Sequence, residues 1–215
     1  MSTDISTDTK HNMNIDSLCD ELVDLSLQPT NADTETNTYP VYVGVKLNAE
    51  ESKKLDDLLK EKLGKDYDIY KKSRCSEKSP GHVTLGYHNS FPTLEDYHKF
   101  VDDNYRSRDG QEVILSFTGY ARDSRCVCFT IALPDTIPFY PLDKNLHVTA
   151  LLKKKPPVYS NFLLERIKKA KDEGTDQPGN DVGEMVVFDE PINVPSTIYL
   201  HGELNKGLTQ KPKVQ

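Results

Sequence analysis

The chain holds 215 residues, 28% charged and 36% hydrophobic, with a formal net charge of -7, and is long enough to bury a core without disulfide staples. No apolar run approaches the roughly 20 residues of a membrane span, and the N-terminus carries no signal-peptide apolar region, so a soluble, unsecreted, cytoplasmic or nuclear protein is expected. Residues 1–38 hold eight acids and one base while the rest balances at 26 of each, so overall acidity excludes no nucleic-acid substrate, and the neutral body lacks the basic excess of a nonspecific duplex binder.

Residues 1–38 are rich in Ser, Thr, Asp and Asn and read as a mostly disordered acidic tail. Within it Ile15, Leu18, Leu22 and Leu25 fall at helical spacing, which predicts a short acidic helix that docks on the body or serves a protein partner. Tyr39–Leu47 reads as a buried strand. Asn48 with Glu51 resembles a capping box opening a helix, Leu55, Leu58, Leu59 and Leu63 give it an apolar face, and Gly64 stops it. A lysine-rich link leads to a strand over Gly81–Tyr87, then to a helix begun by Thr93 with Leu94, Tyr97, Val101 and Tyr105 on one side.

Glu112–Tyr120 and Arg125–Leu133 read as a hairpin turning around Asp123 and Ser124. Cys19, Cys75, Cys126 and Cys128 lack zinc-type or CxxC spacing. They read as reduced thiols filling core or strand, with Cys126 and Cys128 expected to face opposite ways. Pro134, Pro138 and Pro141 mark a loop into a strand over Asn145–Leu152, which Pro156 and Pro157 end. Ser160 is read as the cap of a helix with Leu163, Ile167 and Ala170 inward, and Gly174 as its stop. Residues 174–183 read as an exposed loop, EMVVF and STIYLHGEL as two last strands, and 204–215 as a flexible tail. This order predicts an α+β fold over residues 39–203: two lobes with antiparallel sheets around a central cleft, each lobe offering a strand, a His-x-Thr strand and a helix.

Two strands carry the chemistry. In GHVTLGY, His82 and Thr84 share one face with Val83 and Leu85 opposite; in NLHVTALL, His147 and Thr149 share one face in the same way. The tetrapeptides HVTL and HVTA lie 65 residues apart, whereas His88-Asn89-Ser90 repeats the spacing only in a polar stretch before Pro92. Two imidazoles across a cleft form an acid and a base near neutral pH. A threonine one strand repeat from each is placed to donate to a nonbridging oxygen. Phosphorus suits such a site, because its attacking and leaving oxygens lie in line. No carboxylate–histidine set stands at metal-ligand spacing, so neither metal nor cofactor is expected.

These paired motifs resemble the two-histidine (2H) phosphoesterase superfamily, and most of all the cyclic phosphodiesterase domain of fungal-type tRNA ligases. The resemblance implies a pseudo-symmetric bilobal fold and metal-independent opening of 2′,3′-cyclic phosphate ends of RNA or nucleotides, giving a 2′-phosphate in RNA repair or tRNA splicing. It also implies His82 and His147 as the acid–base pair and Thr84 and Thr149 as phosphate contacts. Alternatives on the same fold are a hydrolase of small cyclic phosphates such as ADP-ribose cyclic phosphate, a hydrolase of 2′,5′-linked oligonucleotides, or a non-catalytic module binding RNA ends or a protein. Tyr42, Tyr87, His88, Lys153 and Tyr199 are candidate substrate-rim residues. Lys71, Lys72, Arg74 and Lys78 before the first motif, and Lys153, Lys154 and Lys155 after the second, form a candidate basic rim. His98 and His201 read as structural or solvent-facing, and a monomer is expected.

Overall fold

The computed structural model describes residues 38–71, 81–141, 145–175 and 182–204, all within the unit Asn37–Gln215. The helix expected within residues 15–25, Cys19, Cys75, Lys72, Arg74, Lys78, the Lys71 side chain and residues 205–215 lie outside the described residues.

Local chemistry sets most element ends. Strand β1 (Tyr42–Leu47) runs into helix α1 (Ala49–Leu63), whose Glu51 N–H donates to Asn48 Oδ1 at 2.8 Å. The Glu51 carboxylate turns to Lys54 instead, 2.8 Å away, so the cap forms without its reciprocal half. Leu55, Leu59 and Leu63 are buried, and Gly64 takes a φ of 51° that a residue with a Cβ resists. A 3₁₀ turn (Gly64–Asp66) and a short helix α2 (Tyr67–Lys71) follow, which the sequence reading did not anticipate. They form because Tyr67 and Tyr70 drive their rings into the core.

Strand β2 (His82–Tyr87) precedes helix α3 (Leu94–Asn104), where Thr93 Oγ1 accepts from Asp96 N–H at 3.0 Å and Tyr97, Val101 and the following Tyr105 are fully buried. Strands β3 (Glu112–Arg122) and β4 (Cys126–Ala132) form the expected hairpin, and Asp123 Oδ1 caps its turn by accepting from the Arg125 and Cys126 amides. Strand β5 (His147–Leu152), helix α4 (Tyr159–Asp172) and strand β6 (Glu184–His201) complete the body.

The fold is α+β with antiparallel strands, as expected, and the strands of both motif regions are joined in one sheet. All six strands form a single antiparallel sheet in the order β2-β1-β6-β3-β4-β5. The cause is β6. The two expected terminal strands are one 18-residue strand that pairs β1 over Ser196–His201 and β3 along most of its length. Of its prolines, Pro191 lies in the stretch opposite the β3 register shift, and Pro195 pairs with Ile114 of β3 just outside the β1 ladder, whose end pairing is Leu47 with Ser196. Leu204, expected in the tail, is buried, and its N–H donates to Tyr39 O at 2.7 Å, so the folded body reaches at least that far.

One apolar face of the sheet gathers Val43, Val45, Val83, Leu85, Leu115, Phe117, Phe129, Val148, Val194 and Ile198 with the buried sides of α1 and α3. A smaller cluster packs Cys126, Cys128, Ala121 and Leu152 against Leu163, Leu164 and Ile167 of α4. This corrects the expectation for the two cysteines. Strand residues two apart point the same way, so both thiols lie under α4. The hydrogen bond to Cys128, then burial, pushes the Cys126 thiol up and keeps it in the unreactive protonated form.

Candidate active site

The sheet's two edges are the two motif strands, and they come back beside each other. A Cβ built on Gly81 would lie 2.7 Å from Val148 Cγ1, so the residue before His82 packs on the residue after His147. Only glycine permits that approach. Tyr140 N–H from the proline loop donates to Leu85 O at 2.7 Å and satisfies part of the β2 edge.

Both polar pairs lie on one side of the sheet. Val83, Leu85 and Val148 are at most 2% exposed within a single cluster, so His82, Thr84, His147 and Thr149 occupy the opposite face, each half-buried. Strand register fills in their neighbours. His82 pairs with Lys46 and Thr84 with Gly44 on β1, while His147 pairs with Thr130 and Thr149 with Cys128 on β4. Thr130 in turn shares a hydrogen bond with Thr118 at 3.0 Å.

Around the first motif stands an aromatic group. The Tyr42 ring stacks on His82 at 5.4 Å between centroids and meets the His201 ring at 4.5 Å. Its hydroxyl bonds that of Tyr199 at 2.7 Å. Burial pushes both phenols up, so they stay protonated hydrogen-bonding groups across the neutral range. Lys46 Nζ rests 5.5 Å over the Tyr199 ring, beside His82. Sequence reasoning missed Lys46; His201, read as structural or solvent-facing, is exposed, and its ring also meets Tyr42. The available signal for Lys46 was its parity, since it shares a face with Tyr42 and Gly44 in an otherwise apolar strand.

The second motif is held by hydrogen bonds. His147 Nδ1 lies 2.8 Å from Asn145 O, and a carbonyl can only accept, so Nδ1 carries hydrogen. Nε2 lies 2.9 Å from Ser160 Oγ on α4, which is also 2.7 Å from Thr149 Oγ1. Ser160 was expected to cap this helix. Helix α4 instead starts at Tyr159 with Val158 at its cap and no side-chain capping bond, and Ser160 enters the first turn with its hydroxyl donating to Pro157 O at 2.7 Å. The first turn of α4 lies against β5, which brings Ser160 to the motif.

The other rim candidates divide. Tyr42 and Tyr199 join the first motif, and the register with Tyr42 puts Tyr87 on the same face. His88 is committed elsewhere, its Nδ1 lying 3.0 Å from Val41 O and its ring against Tyr87 and Tyr97. Lys153 is exposed just after β5, its N–H donating to Arg125 O. His98 stacks on Tyr39 with centroids 3.5 Å apart. Among the described residues no three of His, Cys, Asp and Glu gather to hold a metal ion, and no helix is long and apolar enough to cross a membrane.

The sequence matches no protein-family model and no curated protein. Its fold is similar to that of a solved fungal RNA kinase structure. The TM-score is 0.55 at 19% identity, over 83% of this chain and 50% of that one. The chain therefore spans half the length of that structure, and the shared property is the fold.

Proposed function

We propose that this chain is a 2H-type cyclic phosphodiesterase that opens 2′,3′-cyclic phosphate ends of RNA or nucleotides without a metal ion, leaving a 2′-phosphate. One observation carries the reading: both His-x-Thr pairs stand on one face of one sheet, on edge strands that meet at Gly81 and Val148. The fold likeness to a structure described as an RNA kinase supports work on RNA ends.

The reaction follows from the groups present. One imidazole of His82 and His147 takes a proton from water as the water oxygen bonds to phosphorus. The other, as imidazolium, gives its proton to O3′ as the phosphorus–O3′ bond breaks; with Nδ1 of His147 held by Asn145 O, the reacting nitrogen of His147 is Nε2, which exchanges Ser160 Oγ for the substrate oxygen. Thr84 and Thr149 donate to the nonbridging oxygens as negative charge gathers there. Lys46 adds positive charge beside His82, and the Tyr42 ring offers a flat surface on which a base can stack.

The test is purified protein with EDTA and a short RNA bearing a 2′,3′-cyclic phosphate, with 2′- and 3′-phosphate products resolved. Turnover in EDTA to the 2′-phosphate is expected, with a bell-shaped pH profile. His82→Ala and His147→Ala should each lower kcat by roughly 10²- to 10⁴-fold, the range for loss of a general acid or base. Loss of turnover on chelation would refute the metal-free mechanism, and a 3′-phosphate would transfer the broken bond to O2′. Retained binding without turnover in the parent chain would leave a binding module on the same fold.

A further inference from the structure

Ser160 is fully buried, with a relative exposure of 0%, and its single hydroxyl serves three oxygen or nitrogen partners. Pro157 O and Thr149 Oγ1 lie at 2.7 Å and His147 Nε2 at 2.9 Å. A hydroxyl has one hydrogen and two lone pairs. The Pro157 carbonyl only accepts, so when that bond is made Ser160 has no hydrogen left and must accept from both Thr149 O–H and His147 Nε2–H. Nδ1 already donates to Asn145 O. All these contacts therefore coexist only when His147 carries both ring protons. When the ring is neutral, the hydroxyl turns to donate to Nε2 and the Pro157 bond is given up.

The helix that presents this hydroxyl is itself clamped. Tyr159 Oη and Arg166 Nη2 donate to Asp123 Oδ2 at 2.8 and 2.6 Å, and the Asp123 side chain is 5% exposed. The start of α4 is thereby tied to the β3–β4 turn, on the same hairpin that pairs with β5.

We propose that Ser160 is the positioning residue of the second motif, tying His147 Nε2 and Thr149 Oγ1 into one hydrogen-bonded unit. Its catalytic consequence rests on the phosphodiesterase reading, but the unit itself does not. The groups beside it are Thr130 and Cys128, paired with His147 and Thr149 from β4, and the Asn145 carbonyl before β5; His82 is the titratable group of the other motif strand, whose edge meets β5. Arg166 and Asp123 face each other behind it. In either state of the His147 ring the one hydrogen of Ser160 goes to Pro157 O or to Nε2, so Thr149 makes the 2.7 Å contact by donating to Ser160, and a substrate oxygen competes with Ser160 for that hydrogen.

The experiment follows the His147 ring by NMR across pH in the full chain, in the parent, Ser160→Ala and Ser160→Cys. Since the complete set of contacts requires the charged ring, His147 should lose its proton at lower pH in Ser160→Ala, with Ser160→Cys between the two. In the turnover assay one limb of the pH profile should move by the same amount and in the same direction, and kcat should fall about tenfold or more while KM stays within a few-fold. A cycle with Thr149→Val should be non-additive, Thr149→Val costing less once Ser160 is gone. An unchanged titration in folded Ser160→Ala would overturn the proposal and leave the phosphodiesterase reading standing. A shifted titration in a chain whose parent shows no turnover would do the reverse. If Ser160→Ala does not fold, the ring-nitrogen spectrum of the parent decides: Nε2 must be hydrogen-bonded and slow to exchange, and rapid exchange there overturns the proposal.

Discussion

At the scale of single residues, Asp123 shows how one buried carboxylate fixes a functional element. Burial alone would raise its pKa, but hydrogen bonds from the Arg125 amide, Tyr159, Arg166 and the Cys126 amide outweigh that and hold it below the ordinary carboxylate value. The sign follows from linkage: the ionised group stabilises the fold at neutral pH, and this contribution is lost as pH falls from the ordinary value of about 3.9 through the lower folded one. Asp123→Asn should therefore be less stable than the parent at pH 7, and the difference should shrink at the acid end of a urea-denaturation series. A constant difference across pH would refute the role of the charge. Gly44 makes a second case: a Cβ there would lie 2.7 Å from Val83 O and 2.9 Å from Tyr199 Cε1. On the proposed phosphodiesterase reading, Gly44→Ala should displace Tyr199 from Tyr42 and raise KM for an RNA end; an unchanged KM in a folded variant would remove the aromatic group from the proposed substrate site.

At the scale of elements, helix ends and faces were legible because their causes are local. Asn48 and Thr93 cap where polar side chains precede apolar spacing, and the buried leucines and tyrosines follow the helical period. Helix α2 was not legible, since five residues carry too little periodicity and only the core gives Tyr67 and Tyr70 a place. Ser160 was misread for a related reason. A serine near a helix start is usually a cap, and what redirected it was the packing of the first turn of α4 against β5. The register shift in β3 carries its own prediction. A Cβ on Gly119 would fall 2.1 Å from Val186 O, a backbone atom, so Gly119→Ala should cost about 1–3 kcal/mol in urea unfolding, and a neutral result would show that the β3–β6 register adjusts freely there.

At the scale of the whole molecule, β6 decides cooperativity. Two lobes with separate sheets would allow two unfolding steps, but a strand paired with both β1 and β3 joins the motif strands through one hydrogen-bonded ladder. Hydrogen exchange should therefore give the most protected amides of β1 and of β4 the same opening free energy, equal to that of global unfolding. A gap of several kcal/mol between them would restore the picture of independent lobes.

The sequence by itself determined the polar pairs and their pairing with buried neighbours, because alternation along a strand is a property of the backbone and needs no partner. It also determined the α+β class, the hairpin at Asp123 and most helix boundaries. Only the tertiary structure decided that the two motif strands are the edges of one sheet and meet at Gly81 and Val148. It alone brought Lys46 and His201 to the first motif and Ser160 to the second. These depend on which strands pair and how far the sheet curls, quantities set by packing between residues far apart in the chain and invisible to any local pattern.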